Sequence, residues 1–276
     1  MGKVFLIDVK QCNGCYNCQI VCKDEHCEND WRPYAAPQPL TGQFWLKMDE
    51  KVRGQVPWTR VAYKPVMCQH CEKCPVLELG AADGAAYRRD DGLVIIDPEK
   101  AAGRRDLVEA CPLGAVYWNE ELALPQKCTG CAHLLDNGWD VPRCVDACAH
   151  DVIRWVDEDS DEAKAFIAEA EVLEEVAALG PRAYYKNLPK RFIAGSVVDL
   201  GIDELLIGAP VKIVGAEGFT AEMATDEFGD FKFDQIPADV YTLTITAEGY
   251  KPYGHRSTLP KSTAPSATSP WRSSLA

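Results

Sequence analysis

The order in which its cysteines are spaced limits this chain more than any other feature. The 276 residues contain 13 cysteines, all between Cys12 and Cys148. The first run is Cys12-x2-Cys15-x2-Cys18-x3-Cys22 and the second is Cys68-x2-Cys71-x2-Cys74. The third pairs Cys128-x2-Cys131 with Cys144-x3-Cys148, and Cys111-Pro112 stands alone before it. An odd count without a secretory signal argues against a disulfide framework. Zinc sites also use C-x2-C units, but as two pairs separated by a longer span. Three cysteines at successive intervals of three suit a loop wrapped around one 4Fe–4S cubane, with the fourth thiolate of a run reaching to a neighbouring cluster.

Comparing the chain with itself explains the lone cysteine. Ile7-Asp8-Val9-Lys10-Gln11-Cys12 matches Ile96-Asp97-Pro98-Glu99-Lys100-Ala101 at a constant offset, so Ala101, Arg104 and Leu107 stand where Cys12, Cys15 and Cys18 would be, and Cys111 falls on Cys22. A second match sets the segment from Ala81 to Tyr87 against that from Cys111 to Tyr117, which puts Ala81 at the crossing position of the second run. The four ligands of one cluster have been replaced together. Leu107 and its apolar neighbours are expected to fill that space, with Arg104 turned to solvent or to a carboxylate, because both a void and an unpaired buried guanidinium are costly.

The crossing rule then yields three complete ligand sets. Cys12, Cys15 and Cys18 take Cys148; Cys128, Cys131 and Cys144 take Cys22; Cys68, Cys71 and Cys74 take Cys111. Cys27 is left over and reads as a partly buried thiol. His70, His133 and His150 lie beside ligands, placed either as packed loop residues or as hydrogen-bond donors to sulfur.

Secondary structure is legible around this frame. Val4 to Val9 and Leu93 to Ile96 read as strands, the second entered through the Asp91-Gly92 turn, with helical turns at Gln19 to His26 and Arg105 to Ala110. Residues 159 to 180 have helical spacing, with Phe166, Ala170, Leu173 and Ala177 on one face, Asp159 and Glu162 at the cap, and Gly180-Pro181 as the stop. From Phe192 the period becomes two: Tyr241, Leu243, Ile245 and Ala247 face inward and Thr242, Thr244 and Thr246 outward, with Ala209 to Val214 and Phe231 to Phe233 alike. The chain thus reads as α+β, a tandem ferredoxin-like cluster domain (1–158), a helix and extended linker (159–191), a small β-sandwich (192–253), and a Ser/Thr/Pro-rich tail (254–276) expected to be disordered.

A formal charge of -13 excludes a polyanion-binding surface, and nucleic acid is not an expected partner. No signal peptide and no membrane-length apolar stretch is recognised, so a soluble, cytoplasmic protein is expected, or one carried out on a signal-bearing partner.

The cysteine scheme of residues 1–158 resembles the electron-transfer (beta) subunits of molybdopterin oxidoreductases of the dimethyl sulfoxide reductase family, which usually hold four clusters in two ferredoxin-like pairs. The loss of one cluster, the segment Pro181 to Asn187 and the attached β-domain are most similar to the branch acting on catechol- and pyrogallol-type phenols, as transhydroxylases or reductive dehydroxylases. The resemblance implies three 4Fe–4S clusters here and a large catalytic partner subunit carrying molybdenum-bis(pyranopterin guanine dinucleotide), so that neither catalytic nor substrate-binding residues lie in this chain. One departure is local: the family commonly has four residues before the third cysteine of the second run, whereas two separate Cys71 and Cys74. The series Thr225-Asp226, Gly229, Phe231, Phe233, Ile236-Pro237, Tyr241, Gly249-Tyr250 resembles immunoglobulin-like domains of the transthyretin and collagen-adhesin (CnaB) type. A free-standing ferredoxin is the alternative reading, opposed by the long part of the chain that carries no cysteine.

Overall fold

The computed structural model describes residues 2–54, 56–199, 201–259 and 272–274. They form two compact units, Met1–Asp49 with Tyr63–Leu188, and Glu50–Ala62 with Pro189–Ala276. The division is discontinuous. Residues 159–188 stay with the cysteine-bearing unit, and the distal part of the hairpin Leu46–Arg53/Arg60–Met67 belongs to the other.

In the first unit, strand Lys3–Asp8 is the centre of a three-stranded sheet, antiparallel to Ile153–Asp157 and parallel to Ala183–Lys186. Neighbouring side chains of a strand point to opposite faces, and here both faces are buried. Phe5 and Ile7, with Val9, enter the core that holds the cysteines, while Val4 and Leu6 pack on Ala163 and Phe166 of helix Asp161–Ile167. A strand covered on both sides reads as a continuous apolar run, which is why this one is legible in the sequence. Short helices follow the cysteine runs: Asn17–His26, Pro75–Gly80, Ala132–Asp136 and Arg143–Asp146. All of them are too short to persist alone in water. Their buried sides belong to the same core as the thiols.

The single helix expected over 159–180 is not formed. Helix Asp161–Ile167 is capped by Ser160, whose Oγ accepts from the Ala163 N–H at 3.1 Å, and Asp159 is not the cap. Glu171 then bridges Tyr185 through N–H···O bonds of 2.7 and 2.8 Å, and a 3-10 turn spans Glu174–Leu179. The reason is that the apolar positions serve two cores. Phe166 covers the outer face of the sheet, whereas Leu173 and Val176 enter the cysteine core, and Ala177 stays exposed. One straight helix cannot reach both. The segment after Gly180 forms the edge strand Ala183–Lys186, in which Tyr185 is 0% exposed and its hydroxyl donates to the Pro65 carbonyl at 3.2 Å.

At the vacated ligand positions, Ala101 and Leu107 are fully buried. Arg104 donates through Nε and Nη2 to Asp106 at 2.9 and 2.8 Å, through Nη2 to the Leu79 carbonyl at 3.2 Å, and pairs with Asp83. The guanidinium therefore ties 79–83 to 104–106, the segments that a cluster bound there would have joined. Leu107→Ala is expected to cost about 2–5 kcal/mol in a denaturation measurement, the range for a buried leucine whose surroundings relax only in part. A loss below about 1 kcal/mol would mean that the space is not packed. Arg104→Ala should cost less, since its pairs are solvent-screened.

The second unit is a two-sheet β-structure without cysteine. One sheet orders Glu204–Leu205, Arg191–Asp199 and Asp230–Ile236, with Arg272–Ser274 parallel to Arg191–Asp199. The other orders Thr220–Ala224, Pro210–Gly215, Val240–Ile245 and Tyr253–Thr258, all antiparallel. Ile193, Val197, Val211, Ile213, Phe231, Phe233, Tyr241, Leu243 and Ile245 make its core; the alternation predicts those from Val211 onward, whereas Ala247, past the end of strand Val240–Ile245, is only half-buried. The tail is corrected in part: residues 272–274 are a strand, and so are residues 254–258, because the outer edge of Val240–Ile245 offers unpaired backbone groups. Residues 260–271, 275 and 276 of the expected disordered tail lie outside the described residues.

Candidate metal centres

The loops that carry the thiols share one backbone device. In the leading C-x2-C unit of each run the residue ahead of the second cysteine has a left-handed backbone: Gly14 (φ 73°), His70 (φ 47°) and Gly130 (φ 62°). Such a residue curls the chain so that successive N–H groups face one side, a concavity that attracts anions. The Gly130 N–H lies 3.4 Å from Cys128 Sγ. Glycine is also needed for space at two of these positions, since a Cβ would come within 2.6 Å of the Tyr63 ring at Gly14 and 2.5 Å of Leu93 at Gly130. At the third, His70 is held by the Val94 N–H donating to its Nδ1 at 3.0 Å.

The structure brings the sequence-predicted thiols together in three groups. Cys12, Cys15, Cys18 and Cys148 line one cavity, with Asn13, Met48, Pro65 and His150. Cys68, Cys71, Cys74 and Cys111 line a second, with His70, Val176 and Lys127. The empty space, open solvent included, is about 310 Å³ in the first and 360 Å³ in the second. Cys74 thus reaches its set across the shortened spacing. Cys22, Cys128, Cys131 and Cys144 form the third group: all are buried, and Cys22 and Cys144 each feel Cys128 and Cys131 as charged neighbours.

These groups lie in a row. Cys18 of one end group acts on both Cys22 and Cys144 of the middle one, and Cys68 of the other end group is the leading charged neighbour of Cys128. The middle group is closed off, whereas Cys15 is exposed at one end and Cys111 half-buried at the other.

Burial first, then the neighbouring Cys148, Cys12 and Cys15, pushes the Cys18 thiol up to about 12. Burial, followed by Cys68, Cys74 and Cys111, does the same to Cys71. Cys22 and Cys144 are driven well above the ordinary thiol value, again by burial foremost. Thiols packed this way do not ionise alone. They require a cationic core whose binding expels their protons.

Do these residues fit an iron–sulfur cube? Among the described residues no three His, Cys, Asp or Glu side chains converge on a point that a single ion can occupy. Tetrahedral zinc draws its sulfurs to roughly 3.8 Å from one another, from a Zn–S bond of about 2.3 Å. Here the thiols surround a space. In addition, buried polar atoms lack partners beside them: His70 Nε2 and Thr129 Oγ1. The bond from Val94 leaves the His70 proton on Nε2, and the ring lines the Cys68 cavity, so a sulfur-bearing group there would satisfy it. The residues fit.

The other histidines divide. His150 lines the Cys12 cavity, with Nε2 at 2.9 Å from Asn13 Nδ2. His133 has its Nε2 at 3.1 Å from Glu25 Oε1 and its ring stacked on Trp31 at 4.4 Å. The sequence reading missed His26, which is buried with Nε2 at 3.9 Å from Cys131 Sγ. Its signal was the spacing of four from Cys22, which puts both on one side of helix Asn17–His26. Cys27 joins no group; it ends that helix, its Sγ 3.8 Å from the Pro39 carbonyl. No helix among the described residues is long and apolar enough to cross a membrane.

Residues 59–158 match a 4Fe-4S dicluster domain, and residues 193–268 match a carboxypeptidase regulatory-like domain. The chain is 40% identical over 253 residues to the pyrogallol hydroxytransferase small subunit of Pelobacter acidigallici, covering 88% of this chain and 90% of that protein. It is 30% identical to a putative dimethyl sulfoxide reductase iron-sulfur subunit of Halobacterium salinarum, over 66% of this chain and 78% of that one. One subunit of the anaerobic dimethyl sulfoxide reductase of Escherichia coli is 32% identical over 52% of this chain and 68% of its own length. With a thiol-lined core, an attached immunoglobulin-like β-unit and a relative matched almost end to end, this chain belongs to the iron–sulfur electron-transfer subunits of the molybdopterin oxidoreductases.

Proposed function

We propose that the chain holds three 4Fe–4S clusters and conducts electrons along them, to or from a large molybdopterin subunit that acts on catechol- or pyrogallol-type phenols. One end cluster takes Cys12, Cys15, Cys18 and Cys148, the middle one Cys22, Cys128, Cys131 and Cys144, and the other end Cys68, Cys71, Cys74 and Cys111. The observation that carries this is the row of thiol groups, buried in the middle and reaching the surface at its ends. Bound there, each cluster supplies a one-electron couple, and this chain's residues exclude water and set its potential. The phenolic substrate class rests on the pyrogallol hydroxytransferase small subunit as a relative. The catalytic chemistry then belongs to the partner's molybdenum-bis(pyranopterin guanine dinucleotide).

Two finer points go with this reading. The β-unit is of transthyretin or adhesin-repeat type, and serves as an interaction module because it offers neither thiols nor a clustered acid–base pair. The unpaired thiols suit a reducing cytoplasm.

The test is to purify the native complex, count metals and assay turnover. About twelve irons per chain are expected from three full ligand sets, together with co-purification of a much larger molybdenum subunit that converts pyrogallol or catechol. Zinc in place of iron, or sixteen irons, would sink the ligand assignment. An active monomeric chain would instead favour a free ferredoxin.

A further inference from the structure

Lys127 is the last residue of strand Leu124–Lys127 and is only 2% exposed. It occupies the position just ahead of the first cysteine of its run, where the first run has the exposed Gln11 and the second the buried Met67. Nothing in the backbone therefore demands a lysine there. Its Nζ donates to the carbonyls of Val94 and Cys128, the latter at 2.8 Å, which leaves one N–H unspent. Among the described residues it has no carboxylate at ion-pair distance. A buried ammonium without a counter-charge is strongly disfavoured.

What surrounds it is thiol. Lys127 lines the cavity of Cys68, Cys71, Cys74 and Cys111. It favours the charged form of Cys74 in that group and of Cys128 in the middle group. It therefore stands at the junction of two sites, each of which becomes anionic on loading, since four thiolates outweigh a 4Fe–4S core of charge about 2+. We propose that Lys127 is the shared counter-cation of the middle cluster and the Cys68 cluster, raising the reduction potential of both relative to the Cys12 cluster and so setting the driving force for the electron step between the Cys12 cluster and the middle one. This rests on the ligand assignment above. The step it governs is one electron leaving one cluster and arriving at the next, with no bond made and no proton moved. A fixed positive charge favours the reduced, more negative state of whichever cluster holds the electron. The third cluster, of Cys12, Cys15, Cys18 and Cys148, is separated from it by the middle group and is predicted to be insensitive.

The experiment is a potentiometric titration followed by electron paramagnetic resonance, on the whole complex carrying Lys127→Met or Lys127→Arg. Lys127→Met should make both the middle and the Cys68 clusters at least tenfold harder to reduce, about 59 mV for a one-electron couple. Lys127→Arg should keep both near their original values, and the Cys12 cluster should not move in either. No shift, a shift at one cluster only, or an equal shift at all three would overturn the proposal. Should Lys127→Met fail to take up iron, loading of Lys127→Arg would still show that the charge is required, and failure of both would show a steric role and overturn it. Fewer than three clusters in the unmodified complex would be seen in the iron count beforehand and would sink the ligand assignment instead.

Discussion

Replacing Cys22 by alanine is expected to abolish the middle cluster and leave the Cys12 cluster in place. By position, Cys22 closes the first run, and a local reading would pair it with Cys12, Cys15 and Cys18. Its charged neighbours are instead led by Cys128 and Cys131, with Cys18 last among them. Cys148, distant in the sequence, is the neighbour that acts on Cys12 and Cys18. Cys22→Ala should therefore lower iron by about four atoms per chain, and Cys148→Ala by a similar number, but with loss of different resonance signals. Because the middle group joins the ends of the row, Cys22→Ala should also stop electron passage between them, the largest functional loss available from one substitution here. Identical spectra from the two variants, or loss of the Cys12 signal in Cys22→Ala, would refute the crossing.

Stripping the iron with oxidant and chelator should unfold the first unit and spare the second. Eight of the twelve assigned thiols are buried, and all of these but Cys131 belong to one apolar core with Phe5, Ile7, Val94, Ile95, Leu107 and Trp155. Without the clusters that core surrounds three unfilled spaces, and lost contacts around a void are not recovered elsewhere. The second unit has its own core and no thiol. Hydrogen exchange should show lost protection in Lys3–Asp8, Val94–Ile96 and Ile153–Asp157 with protection kept in Pro210–Gly215 and Val240–Ile245. Loss of both sets together would mean that the units do not fold independently. Any folded iron-free form has a definite pH response. Thiols such as Cys18, raised from 9.0 to about 12, support the fold fully below pH 9, and that support is lost as pH rises toward 12.

The amino-acid sequence by itself determined the features that depend on near neighbours along the chain. The interval of three between thiols fixes which loops curl around a common centre, and the left-handed Gly14 and Gly130 stand inside those intervals. The internal repeat aligned Leu107 and Arg104 with ligand positions, and their residue types implied the packing and pairing found there. Alternation from Phe192 onward gave the inward residues of the β-unit, because a strand has a period of two whatever it packs against. Tertiary structure decided the rest. Phe166 and Leu173 share one helical stripe in sequence yet belong to different cores, and the backbone of Glu171 pairs with Tyr185 instead of continuing a helix. Lys127 carries no signal in the sequence, and His26 only its spacing of four from Cys22. Their chemistry comes from groups far along the chain, Cys131 for the one and both Cys74 and Cys128 for the other. A local pattern records what a residue's neighbours in sequence require of it, whereas the cost of burying a charge is set by what the fold brings around it.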